Sequence, residues 1–85
     1  MVNANIMEEF EAALTGTDGL INGIVSMKTH TELGQVYEFN ALDQTLMILI
    51  ARDNVGNWHR ISGTEPYLIG WVDELGFIIN NRVLF

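Results

Sequence analysis

The six residues LMILIA at positions 46–51 are all apolar. An unbroken run of that length, flanked by Thr45 and Arg52, reads as a β-strand covered on both faces. A half-covered strand would alternate, and an amphipathic helix would need a longer segment with a 3.6-residue period. The chain is therefore expected to hold a central strand whose second face closes on another protein or on a small apolar cavity inside a curled sheet. With 85 residues there is room for one core and no second one, so residues 1–85 read as a single small globular domain.

The segment after this run fixes its partner. Asn54, Val55 and Gly56 suit a three-residue hairpin loop, in which a type I turn is followed by a left-handed residue, and Gly56 stands at the left-handed place. Asp53 then pairs with Asn57, Arg52 with Trp58, Ala51 with His59, Ile50 with Arg60 and Leu49 with Ile61, opposed residues sharing a face. One face collects Met47, Leu49, Ala51, His59 and Ile61 and is expected to lie under helices. The other collects Leu46, Ile48, Ile50, Arg52, Trp58 and Arg60 and is expected to stay open.

Elements on either side complete the map. In NIMEEFEAALTG, residues 5–16, Ile6, Phe10, Ala13 and Leu14 recur at helical spacing. Asn5 with Glu8 resembles a capping box and Gly16 suits a stop, which predicts an amphipathic helix. Residues 20–28 are rich in β-branched side chains and predict a strand, with Asn22-Gly23 as a tight turn or a bulge. QVYEFN, residues 35–40, predicts a second strand with Tyr37 and Phe39 toward the core. Residues 62–76 predict a second helix, with Thr64 as cap, Pro66 in the first turn, Leu68, Trp71, Val72 and Leu75 as its apolar stripe and Gly76 as terminator. FIINNRVLF, residues 77–85, predicts a last strand. The order α-β-β-β-β-α-β makes an α+β two-layer sandwich, a mainly antiparallel sheet of four or five strands with two helices on one face.

Charge narrows the partners. Eleven acidic residues against Lys28, Arg52, Arg60 and Arg82 leave a formal charge of −7, which opposes the phosphate neutralisation that nucleic-acid binding depends on. No nucleic-acid partner is expected; a protein with a basic surface fits better. No apolar run approaches the 18 or so residues of a membrane span, and the start lacks a basic and apolar leader, so no membrane partner and a cytoplasmic location are expected. Cysteine is absent, which removes disulfides, thiol nucleophiles and thiolate ligands together.

Chemistry-bearing motifs are sparse. His30-Thr31-Glu32 offers two potential ligands where a metal site needs three or four, so no metal is expected and the triplet reads as a polar turn. Ser26 and Ser62 lack the surroundings of a nucleophile, and GTDGLING matches no phosphate-binding pattern. No catalytic residue and no cofactor is assigned. In size and acidity the chain resembles inhibitors and immunity proteins of phage and mobile elements, a likeness that implies a protein partner and nothing finer.

Two functions remain open. The first is a non-enzymatic interaction protein, a homodimer or a subunit of another assembly, that uses Trp58, Arg52, Arg60, Ile48 and Ile50 on the open face; charged residues make up only 18% of the chain against a usual 25% or so. The second is a small-ligand carrier or small enzyme, with an apolar cavity between sheet and helices lined by Tyr37, Phe39, His59 and Trp71.

Overall fold

The computed structural model describes residues 6–82. Five strands run in chain order across one sheet: β1 (Ile6–Gly16), β2 (Gly19–His30), β3 (Gly34–Ala41), β4 (Met47–Arg52) and β5 (Trp58–Gly63). Every neighbouring pair is antiparallel. One helix, α1 (Gly70–Arg82), comes last and packs on one face. The α+β class and the antiparallel sheet are as expected, but the described residues hold one helix in place of two, in the order β-β-β-β-β-α.

The expected first helix is strand β1. The same residues that recur at helical spacing also alternate: Phe10, Ala12 and Leu14 turn toward the core, while Glu9, Glu11 and Ala13 turn away. Glu and Ala favour helix. The hairpin through Thr17 and Asp18 nonetheless pairs this segment with β2 from Gly16↔Gly19 back to Glu8↔Met27, and tertiary pairing overrides that weak preference. Asn5, the expected helix cap, lies outside the described residues.

Strand β2 runs unbroken through Asn22-Gly23. Gly23 is neither turn nor bulge. It is buried, and a Cβ there would come within 2.6 Å of Phe39 Cζ, so glycine is required because the Phe39 ring lies across the strand.

The β4–β5 hairpin has the expected register at its loop. Asp53 N–H donates to Asn57 O at 2.9 Å, Gly56 has φ of +100°, and Arg52↔Trp58, Ala51↔His59 and Ile50↔Arg60 are paired. Beyond Ile50 a bulge shifts the pairing, so Leu49 meets Ser62 where Ile61 was expected.

The expected second helix starts later, at Gly70. Thr64 does not cap it. Its N–H donates to Met47 O, and its hydroxyl accepts from Met47 N at 3.0 Å, which holds it beside β4. The Glu65–Pro66 bond is cis. The helix also continues through Gly76 into the segment expected as a last strand, because Trp71, Val72, Leu75 and Ile79 form one continuous apolar stripe over the sheet. Asn81 Nδ2 donates to Phe77 O at 2.8 Å in its last turn. Val83, Leu84 and Phe85 lie outside the described residues.

The core is the layer between sheet and helix. Val25, Phe39, Ile48, Ile50 and Leu75 have no exposed surface, and Phe10, Leu14 and Tyr37 join them. Two contacts seat α1 on the β1 side: Trp71 Nε1 donates to Thr15 O at 2.9 Å, and the Glu74 carboxylate accepts from Thr15 N at 3.1 and 3.2 Å and from its hydroxyl at 2.8 Å. On the β5 side, Trp58 packs against Gly76.

Candidate interaction surface

The face expected to be open is the covered one. Strand pairing puts Ile48 beside Phe39 and Ile50 beside Tyr37, and α1 docks on that side, so Ile48 and Ile50 are fully buried within the chain. They are not available to a partner, contrary to expectation. The hairpin register groups residues by face correctly but does not say which face the helix takes, since both faces of β4 are apolar.

The basic and aromatic residues do gather, at the seam between sheet and helix. The Trp58 ring meets Tyr37 edge-on, centroids 5.5 Å apart and planes at 75°. The Arg52 guanidinium lies 5.0 Å from the Trp58 ring centroid and donates to Asn80 Oδ1 at 3.0 Å, tying β4 to α1. Arg60 lies 4.2 Å over the Tyr67 ring and donates to Gly63 O at 2.9 Å, with Glu65 at 3.6 Å. Both are cation–π contacts that close the fold.

Nor do the four expected cavity residues line a common space. Tyr37, Phe39 and Trp71 are packed into the core, and His59 lies on the opposite face, its Nε2 at 2.7 Å from Asp53 Oδ2. Asp53 also accepts from the backbone N–H groups of Asn57 and Val55, both at 2.9 Å. The His59 hydrogen bond foremost, then these N–H groups, bring the Asp53 carboxyl down to about 2. His30 Nδ1 accepts from Glu32 N and Leu33 N at 3.1 and 3.2 Å, so its ring nitrogen closes the β2–β3 turn.

The uncovered face is the outer one, and its middle is sealed by its own side chains. Ser26, Val36 and Ala51 are buried there although no helix lies over them. Lys28 and Glu38 form an ion pair beside them. Burial works to raise the Glu38 carboxyl, but hydrogen bonds from Lys28 and Asn40 outweigh it and hold the group below the usual range.

Comparison with protein-family models, curated proteins and solved structures finds no match.

Toward the β1–β2 turn the outer face changes character. Leu42 continues the β2–β3 ladder by donating its N–H to Asn22 O at 2.9 Å, which places it on the outer side with Asn22, next to Leu20 and Ile24. Leu20 and Leu42 are 69% and 65% exposed. Met47 stands opposite Asn40, which stands opposite Ile24. A shallow depression of about 470 Å³ is lined by Ile24, Leu42, Leu46 and Met47 together with the polar Asn40, Gln44 and Thr64, and a second of about 280 Å³ by Leu20 and Leu42 with Asn22, Asp43 and Thr45. Leu42 stands at the border of both. Glu11 and Asp43 rim the patch.

Sequence reasoning missed this patch because Leu42 sits in ALDQ, which reads as a plain connection, and because Leu20 and Ile24 flank the supposed break at Asn22-Gly23. The usable signal was the even-numbered series Leu20, Asn22, Ile24, Ser26 and Lys28, one face of an unbroken strand. Other exposed apolar side chains are dispersed: Ile69, one residue before α1, and Phe77, on its back, have Asp73 between them at helical spacing. No helix among the described residues is long and apolar enough to cross a membrane.

Proposed function

We propose that the chain is a non-enzymatic interaction protein that associates with a second copy through the outer sheet face, with Leu42 as the anchor and Leu20, Ile24 and Met47 around it. The observation that carries this is an apolar, uncovered end of a sheet whose other face is already sealed by α1. Contiguous exposed apolar area rimmed by polar residues marks a contact surface. Sheet faces pack on one another in two layers, so two copies can bury this end of the sheet against each other about a twofold axis. A standard interface takes about 800 Å² from each partner, a modest share of the 5705 Å² surface. Among the described residues Tyr37, Phe39, His59 and Trp71 line no common space, which favours this reading over a small-ligand carrier or a small enzyme built on them.

Sedimentation equilibrium tests it. A monomer–dimer equilibrium below about 100 µM is expected, with Leu42→Asp shifting the chain to monomer and Phe77→Asp, on the back of α1, leaving it dimeric. A wild-type monomer across that range, or a Leu42→Asp dimer of unchanged affinity, would overturn the reading.

A further inference from the structure

Strand β1 forms one edge of the sheet, and the direction of its backbone groups can be read from Thr15. Both the N–H and the C=O of Thr15 are taken by α1, through Glu74 and Trp71, so they point away from β2. Outward-pointing residues alternate in an antiparallel edge strand. The N–H and C=O groups of Ala13, Glu11 and Glu9 therefore also point outward, and among the described residues no strand pairs with them.

The two edges of the sheet differ. Strand β5 has six residues, a bulge against β4, and Trp58 packed on the helix, which blunts it as an edge. Strand β1 has eleven residues and is capped by α1 contacts at Thr15. Its open stretch carries Glu9 and Glu11 on the outer side and Phe10 and Ala12 on the inner side. Ser26 donates its hydroxyl to Glu9. Neither glutamate has a cationic side chain in ion-pair contact among the described residues.

These charges select among possible occupants. A second copy pairing antiparallel along 9–13 would set Glu11 opposite Glu11, and like charges directly opposed destabilise a strand pair. A basic strand meets the reverse: its cations face Glu9 and Glu11 while its backbone fills the open ladder. We propose that the β1 edge accepts an extended segment of another protein as a sixth, antiparallel strand, with Lys or Arg at alternate positions on the outer side and small apolar residues between them. Main-chain hydrogen bonds hold such a strand and the alternate side chains select it. In a hydrogen-bonded pair the opposed residues share a face, so the basic residues are the ones whose amides bond to Glu9, Glu11 and Ala13. The edge bonds lie in the sheet plane, apart from the face contact at Leu42, and the proposal stands independently of self-association.

The test uses a fluorescein-labelled Lys-Val-Lys-Val-Lys-Val-Lys peptide in anisotropy titrations at low salt, on the wild-type chain and on Leu42→Asp. Binding below about 500 µM is expected on both. A block peptide of the same composition, or one N-methylated at its lysine amides, should bind at least about tenfold more weakly; methylation at the valine amides should be tolerated. Glu9→Gln with Glu11→Gln should weaken binding at least about fivefold, and the peptide should slow hydrogen exchange at the Glu11 and Ala13 amides. Equal affinity for the block or lysine-methylated peptide, exchange protection elsewhere than β1, or no binding by about 2 mM would overturn it. A wild-type chain that stays monomeric yet binds the peptide would count against the Leu42 interface alone.

Discussion

The indole of Trp58 lies directly on Gly76, so close that a Cβ at position 76 would fall within 2.6 Å of Trp58 Cγ. Glycine in mid-helix costs about 1 kcal/mol relative to alanine. The helix accepts that cost so that α1 can approach β5, and the Arg52 guanidinium lies over the same ring.

Gly76→Ala therefore sets two effects against each other. Alanine returns about 1 kcal/mol of helix propensity, but its methyl group meets a half-buried ring wedged between Tyr37 and Arg52, and overpacking of that kind costs about 1–3 kcal/mol or more. A net loss of stability is expected in urea unfolding. Pairing it with Trp58→Leu should recover part of the loss, because the smaller side chain leaves room for the methyl.

Ile48 and Leu49 separate the two faces of β4. Ile48→Ala should cost about 2–5 kcal/mol, as for any large aliphatic side chain removed from a filled core, since Ile48 has no exposed surface. Leu49 is half-buried on the outer face, so Leu49→Ala should cost less than about 1.5 kcal/mol. Denaturant midpoints for the two variants check the facing of the sheet; equal losses would show that the helix does not cover the Ile48 side.

Glu74 and Trp71 close the turn end of β1. Trp71→Phe keeps most of the buried ring and removes the N–H that Thr15 O accepts, a loss of about 0.5–1.5 kcal/mol net. The Thr15 amide donates to the Glu74 carboxylate, so its native-state hydrogen exchange should quicken in Glu74→Ala before global unfolding does.

The β4–β5 loop should respond to acid. Asp53 has its carboxyl lowered from 3.8 to about 2, first by the His59 hydrogen bond and then by the N–H groups of Asn57 and Val55. A depressed carboxyl stabilises the fold fully above its unfolded value and loses that contribution as pH falls toward about 2. The Val55 and Asn57 amide resonances should titrate there, and His59→Ala should move their midpoint upward.

Local patterns carried the hairpin and the core strands. Gly56 and the polar loop beside it announced the Arg52↔Trp58 register, and the alternation in QVYEFN announced Tyr37 and Phe39 as core residues. The failures share one cause. Glu-Ala-Ala-Leu around position 12 satisfies a helical and a two-residue period alike, and the choice between them lies in ten paired positions on β2. Gly23 and Gly76 look like punctuation in the sequence, yet each makes room for a ring contributed by a distant segment, Phe39 and Trp58. The facing of Ile48 and Ile50 depends on the β3–β4 register, Phe39↔Ile48 and Tyr37↔Ile50, which no turn signal in 42–45 specified.

Because the five strands lie side by side in the order in which they occur, each can join a neighbour already beside it. Little loop entropy is lost per pairing, and such topologies assemble quickly for β-proteins. In chain order the helical lid follows them. Until α1 reaches back to Thr15, a separation of 56–59 residues, the Phe39–Ile48–Ile50 face is bare. As long as the helix has not closed, that exposed apolar face is open to aggregation. Changes in α1 that spare the finished fold, such as a slower helix nucleus, should therefore register in refolding yield sooner than in equilibrium stability.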